Sequence, residues 1–276
     1  MNESYTFKKY NFEDSIFHNI DATYIIHLEG NGRLSSIENQ LSEFHPTNNT
    51  YIVFNKGYKN SNKQEYVNTS SKDLIDAFFI VFKDARAKKY QNILILEDDF
   101  QFNSIIKEDS RVHGKNIDQF LADNISESFI YYLGALTYLQ SGFFETSPRL
   151  NLSTGTHACI YSKKCIDYFL DKVNQESLED WDICLNFGVI PRYKYYMPLC
   201  YQTFPDTENS KNWHRDSTLL FIFVFIQRTL FKTLGLHISA EPGFSIMETI
   251  SRSLFWILFI FFFILFIKKI HNHMKN

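Results

Sequence analysis

The sequence predicts an α/β fold, a mostly parallel sheet flanked by helices, with hydrophobic helices added at the C-terminus. Three observations carry that expectation. Short apolar runs bounded by turn residues alternate with segments whose apolar residues recur every three or four positions. Between Tyr24 and Leu96 the order is strand, helix, strand, helix, strand, a series that connection rules make parallel. After Arg215 the composition changes to long apolar stretches interrupted by cations.

Residues 1–21 read as a polar N-terminal extension that lacks the apolar core of a signal peptide. Tyr24-Ile25-Ile26-His27-Leu28 is the first predicted strand, and Glu29-Gly30-Asn31-Gly32 breaks it. Leu34, Ile37 and Leu41 place a helix over Arg33–Phe44, which Pro46 ends before the strand Tyr51–Phe54. Ser70-x-x-Asp73 reads as a capping box opening a long helix, with Leu74, Phe78, Val81 and Ala85 as its apolar stripe. Ile93–Leu96 follows as a buried strand. Phe129–Leu133 is the next strand, and Gly134 to Pro148 reads as a loop. Thr154–His157 leads into the short strand Ala158–Tyr161, and Ser162 caps a helix carrying Ile166, Phe169, Leu170 and Val173. Glu179-Asp180-Trp181-Asp182 opens a short helix with its acids at the favourable end. Lys194–Leu199 is a last strand before the loop Gln202–Arg215.

The 276 residues carry a formal charge of −3, unevenly spread. After Ser210 there are eight Lys/Arg against three Asp/Glu, a local +5 that leaves −8 for residues 1–210. An acidic body excludes nucleic acid as a partner, since backbone binding needs a basic surface. Cys159, Cys165, Cys184 and Cys200 show no C-x-x-C spacing and read as free thiols.

The tail points to a membrane. Leu254 to Ile267 is fourteen unbroken apolar residues, six of them Phe, with Lys268 and Lys269 immediately after. Fourteen helical residues reach only about 21 Å, but Ile250–Ile270 spans a bilayer if Arg252 and the two lysines snorkel. Leu219–Leu236, an apolar run followed by Arg228 and Lys232, suits a helix lying in the interface. The expected organisation is therefore a body at 22–215, an amphipathic, interfacial segment at 216–249, a transmembrane helix at 250–270 and a short basic tail at 271–276. A span finishing nine residues before the end of the chain emerges after translation ends, which leaves the body cytosolic on a single-pass C-terminal anchor.

Ile93-Leu94-Ile95-Leu96 runs straight into Glu97-Asp98-Asp99. Three adjacent like charges repel and are costly to desolvate. The conflict is relieved at the open end of a sheet, where α/β folds bind ligands, and by a shared Mg²⁺ or Mn²⁺ bridging to substrate phosphates. Alternation places Glu97 and Asp99 on one face as metal ligands, with His214 from the late loop as a third. Asp98 would then point to a ribose or support the ligands from behind. Asp182 is the candidate general base, with Asp180 its neighbour. Gly155, Thr156 and His157 are candidates for contacts to the diphosphate or acceptor. Trp181 and Trp213 could stack on a sugar or pack in the core.

These motifs resemble glycosyltransferase family 25, which includes bacterial lipooligosaccharide and collagen galactosyltransferases. Tyr24–Leu28 with Arg33-Leu34-Ser35-Ser36-Ile37 is similar to that family's opening strand and R-x-x-x-I helix. Leu94–Asp99 resembles its hydrophobic-E-D-D block, and Thr154–Ser162 its G-T-x-A-Y segment; Asp182 matches its isolated downstream Asp. Ile52–Lys59 and Pro198–Trp213 look closer to homologues from large DNA viruses and algae. The resemblance covers roughly residues 22–213, and Asp73-Leu74 stands where the family has an S-H pair. It implies a GT-A-like, Rossmann-like fold, a nucleotide-sugar donor, Mn²⁺ or Mg²⁺, a glycan, lipid or protein acceptor, and inverting hexosyl transfer. Two other expectations compete: a catalytically silent GT-A-like domain serving as a membrane-tethered binding or virion surface protein, and nucleotidyl transfer, for which Glu29–Gly32 lacks a lysine.

Overall fold

The computed structural model describes residues 4–142, 145–202 and 227–275. The first half comprises β1 (Tyr5–Asn11), β2 (Ala22–Leu28), α1 (Leu34–Glu43), β3 (Asn49–Asn55), α2 (Ser70–Ala87) and β4 (Asn92–Glu97). There follow β5 (Phe100–Phe102), α3 (Ile105–Glu108), α4 (Ser110–Asp123), β6 (Ile130–Tyr132), β7 (Leu136–Ser141), β8 (Arg149–Thr154) and β9 (Ala158–Ser162). Then come α5 (Lys163–Lys172), α6 (Trp181–Phe187), β10 (Arg192–Lys194), β11 (Cys200–Gln202) and a terminal helix, here α7 (Gly243–Lys275).

Nine strands form one sheet in the order β1-β3-β2-β4-β9-β6-β10-β8-β7, while β5 and β11 form a separate pair. The β2–β3, β2–β4 and β6–β10 pairs are parallel and the other five neighbours antiparallel, so the sheet is mixed rather than mostly parallel. Chain economy explains the difference. A parallel crossover needs a dozen or more residues, which the connections through α1 and α2 supply and the short links around β7 and β8 do not.

Four other expectations are corrected. The polar extension contributes β1, which pairs with β3 at the sheet edge; its Tyr5 is buried and donates to Asp76 (2.6 Å) while most of its outward residues are solvated. The predicted loop before Pro148 contains β7, which pairs with β8. Its alternation is hidden because polar Thr137 and Gln140 are buried along with Leu136. The predicted strand Lys194–Leu199 is divided: β10 ends at Lys194, and β11 begins at Cys200 to pair with β5. The cap of α2 also moves, since Thr69 rather than Ser70 accepts the Lys72 N–H (3.2 Å). Asp73 is occupied instead by Asn55 and Lys63.

The sheet is buried on both faces. On one side Tyr24, Val53, Ile95 and Tyr161 pack under α2, α5 and α6 through Phe78, Phe82, Phe169 and Trp181. On the other, Ile25, Ile52, Leu94 and Ile160 meet Ile37 and Leu41 of α1 and Ile117 and Leu121 of α4.

The C-terminal region does two things. Leu236, Phe244 and Met247 form a third apolar cluster with Leu136 of β7, so the described part of the expected interfacial segment is docked on the body. A polar joint reinforces it. Glu248 accepts from buried Lys194, from Gln140 Nε2 (2.9 Å) and from Arg252 Nε (2.9 Å), and Arg252 reaches the Tyr196 carbonyl. Burial pushes the Lys194 amine down to about 8, with Glu248 opposing. From Leu254 to Ile270 the helix leaves the body and its side chains, except half-buried Phe255, are exposed. Gly243–Ile270 is long and apolar enough to cross a membrane, as a single C-terminal anchor requires.

This division makes a truncation prediction. A chain ended after Ser253 should be soluble without detergent and melt cooperatively. One ended after Asp216 loses Leu236, Phe244 and Met247, at roughly 1.5–3 kcal/mol each, and strands Lys194. Its melting temperature should fall by about 10 °C or more. Equal melting of the two truncations would show that the region before Leu254 is not part of the folded body.

Candidate functional site

Strand order creates the site. From β2 the chain passes through α1 to β3 on one side, then through α2 to β4 on the other. The loops after β2 and β4 therefore lie side by side at the C-terminal ends of these adjacent parallel strands, the end where open α/β sheets take ligands. Glu97 ends β4 there, and Asp98 and Asp99 form a turn rather than continuing the strand.

Asp98 ties the two loops together. It accepts from the Leu28 N–H (3.0 Å), Asn31 Nδ2 and Arg33 Nη1 (2.6 Å), with His27 Nδ1 at 3.4 Å. Burial works against its charge, but His27, Arg33 and the Leu28 N–H outweigh that and hold the carboxyl below its usual range. With those donors on it, Asp98 holds the β2–α1 loop in position instead of offering open lone pairs to a ribose.

The other carboxylates are less well compensated. Thr156 Oγ1 donates to Glu97 Oε1 (2.7 Å). Burial, then the charge of Asp99, push Glu97 up to about 8 despite that bond. Asp99 accepts from Gln202 Nε2 (3.2 Å to each oxygen) and lies 3.4 Å from Arg33 Nη1. Burial nevertheless raises it to about 6, with Arg33 opposing. Asp182, in the first turn of α6, accepts the Gly155 N–H (3.1 Å), and burial followed by Asp180 raises it to about 7. All of these carboxylates keep partial contact with solvent at this end of the sheet. Glu97 feels the charges of both Asp99 and Asp182, even though the turn after β4 breaks strict alternation.

Two glycines make this convergence possible. A Cβ at Gly134 would lie 1.7 Å from the Cys200 carbonyl oxygen, so only glycine lets β11 come close enough to bring Gln202 to Asp99. Gly155 has φ +91°, the left-handed region that turns its N–H toward Asp182.

Other candidates have different roles. His157 is fully buried and faces inward, donating from Nε2 to the Cys200 carbonyl (3.1 Å). Burial lowers its pKa to about 4, so it is a neutral wall residue rather than a cationic diphosphate contact. Asp180 caps α6 by accepting the Ile183 N–H (2.9 Å). Trp181 belongs to the core, stacked on Phe78 and donating to Tyr161 (3.2 Å). His214 and Trp213 lie outside the described residues. Arg33, quoted above only for its R-x-x-x-I motif, and Gln202 are not among the expected site residues. Arg33 had a signal, a cation directly after a glycine-rich turn; Gln202 had none.

Carboxylate oxygens are the donors that Mg²⁺ and Mn²⁺ prefer. Among the described residues no group of three or more His, Cys, Asp or Glu could hold a metal by itself. Glu97 and Asp99 fit a partial shell of the kind Mg²⁺ uses, one or two carboxylates completed by phosphates and water. Arg33 offsets part of the charge on Asp99, while repulsion from Asp99 and Asp182 still raises Glu97.

The raised values fix the sign of a pH dependence. Because Glu97, Asp99 and Asp182 titrate higher in the folded chain, it binds more protons than the unfolded chain from about pH 4 to 8. Their contribution to stability is full below about pH 4 and is lost as pH rises to 8, Asp99 completing its loss near 6, Asp182 near 7 and Glu97 near 8. In chelator the melting temperature should drop across that window. Glu97→Gln should remove the upper part of the drop, and Mn²⁺ should raise melting more at pH 8 than at pH 5. A metal response of equal size at both pH values would rule out these carboxylates as the ligands.

No protein-family model and no curated protein matches the sequence. Among solved structures, the chain is distantly similar to a protein from STIV at 14% identity, TM-score 0.37, over 68% of this chain and 87% of that one. It is similar to a glycosyltransferase involved in glycosylation of the major capsid of PBCV-1 at 9% identity, TM-score 0.37, over 64% and 83%. A glucose-1-phosphate thymidylyltransferase from Bacillus anthracis, in complex with sucrose, aligns at 10% identity, TM-score 0.34, over 80% and 79%. Similarity at this level concerns the general course of an α/β chain and assigns no residue a role.

Proposed function

We propose that this chain is a membrane-anchored, metal-dependent glycosyltransferase with a GT-A-like body. It would move a hexose from a nucleotide sugar to a hydroxyl of a glycan, lipid or protein acceptor, with inversion. One observation carries the reading: carboxylates with raised pKa values stand at the C-terminal end of β4 (Glu97, Asp99) and in the first turn of α6 (Asp182, bonded to Gly155 just before β9), while the adjacent Asp98 is engaged in holding the β2–α1 loop. A fold does not gather uncompensated like charges for stability, and perturbed carboxylates in a cleft mark functional sites. The resemblance of Leu94–Asp99, Thr154–Ser162 and Asp182 to glycosyltransferase family 25 supports the same reading.

In this reading Glu97 and Asp99 hold Mn²⁺ or Mg²⁺. The ion, when bound, neutralises the diphosphate leaving group. Thr156 orients Glu97 and Gln202 orients Asp99. Arg33 adds positive charge beside Asp99. Asp182 takes the acceptor hydroxyl's proton as that oxygen attacks the sugar carbon. A pKa near 7 leaves it ionised in good part yet basic enough to accept the proton, and the Gly155 N–H fixes its orientation. Four free cysteines suit a body on the reducing, cytosolic side of the membrane. The second reading, a tethered binding protein without catalysis, draws on the lack of a three-residue metal group among the described residues.

Mn²⁺-dependent hydrolysis or transfer across a panel of nucleotide sugars tests the proposal. Asp99→Asn should abolish Mn²⁺-dependent nucleotide binding, whereas Asp182→Asn should keep donor binding and slow transfer by about 10²–10⁴-fold. Wild-type transfer by Asp182→Asn would remove it as the base. Nucleotide binding with no turnover of any donor would favour the tethered binding protein.

A further inference from the structure

A concavity lies away from the carboxylates, where α7 leaves the body. It is a cleft of about 560 Å³, within the range of small-molecule sites. One wall is the loop before β11, with the ring of Tyr196, together with Tyr201 of β11 itself; the other is a polar stripe on α7. Ser245, Thr249 and Ser253 succeed one another at four-residue intervals on that stripe, Glu241 joins them from the turn just before α7, and the apolar stretch begins at Leu254. Tyr201 and Gln202 are consecutive on β11. Tyr201 lines the cleft and Gln202 meets Asp99, so one strand separates the two sites.

The lining selects a ligand class. Its cation, Arg252, is already held by Glu248 and the Tyr196 carbonyl. Glu241 is ringed by hydroxyls, accepting from Tyr201 (2.7 Å) and Ser245 (2.9 Å). Thr249 and Ser253 donate to helix carbonyls and keep their oxygens as acceptors. A cleft of carboxylates, hydroxyls and two aromatic rings, with its guanidinium engaged, repels phosphate and suits an uncharged polyhydroxyl group.

We propose that this cleft binds the neutral sugar headgroup of a membrane glycolipid, whose chains lie along Leu254–Ile270. The inference needs the membrane span but not the transferase chemistry, because β11 stands between this ligand and the carboxylates. It makes the lipid a partner of the anchor.

Trp256 gives a direct readout. It is exposed on the span, while Trp181 is buried and the third tryptophan can be removed as Trp213→Phe. Full-length Trp213→Phe would be placed in phosphatidylcholine nanodiscs carrying a chain-brominated lipid as a minor component. Brominated monohexosyl diacylglycerol should quench Trp256 several-fold more than brominated phosphatidylcholine or phosphatidylglycerol at equal fraction. Thr249→Phe, which fills the cleft from an exposed position, should erase that preference without changing the melting temperature; Ser253→Phe serves if Thr249→Phe does not fold. Equal quenching by all lipids, stronger quenching by phosphatidylglycerol, or a preference that survives both substitutions would overturn the proposal. Mn²⁺-dependent nucleotide binding, measured on the same samples, reports separately on the carboxylates.

Discussion

The crowding of like charge at the end of β4 is the constraint around which the rest of the structure is arranged. Ile93–Leu96 are fully buried between two helical layers, so the chain emerges from the core directly into Glu97, Asp98 and Asp99. The fold treats the three differently. Asp98 receives a full set of donors from the loop after β2, which locks that loop against β4. Glu97 and Asp99 receive one neutral side chain each, Thr156 and Gln202, with Arg33 beside Asp99. Neutral donors orient a carboxylate without cancelling its charge, so Glu97 and Asp99 remain the less compensated members of the triplet.

Those two donors arrive from distant parts of the chain, and the mixed sheet brings them in. Strand β9 runs antiparallel between β4 and β6, so the segment leading into it, Gly155–His157, ends up beside the end of β4. β11 pairs with β5 immediately after the acidic turn, carrying Gln202 to Asp99. The close approach of Cys200 over Gly134 and the buried His157–Cys200 contact fix that strand. Had β9 run parallel to β4, the segment leading into it would lie at the opposite end of the sheet.

The same strand region couples the site to the tail. Lys194 closes β10 and pairs with Glu248, and Tyr201 on β11 bonds to Glu241. Breaking a buried pair from one side is strongly destabilising, so the first three turns of α7 belong energetically to the body, and the exposed apolar part begins beyond Ser253.

Local pattern was enough for the opening strand–helix series, the cap at Ser162, the helix at Trp181 and the apolar span, because each rests on periodicity or composition within a short window. The acidic triplet stood out because three adjacent carboxylates repel, but only the fold divides them, giving Asp98 to the β2–α1 loop and leaving Glu97 and Asp99 with neutral donors. What sequence could not supply was partnership. Thr137 and Gln140 look like loop residues until α7 covers them, and Gln202 carries no motif. His157 is an imidazole facing inward only because Cys200 lies behind it. Whether a polar residue is ligand, cap or core depends on which segment packs against it from far along the chain. That is a property of strand order and burial, and it existed only once the chain had folded.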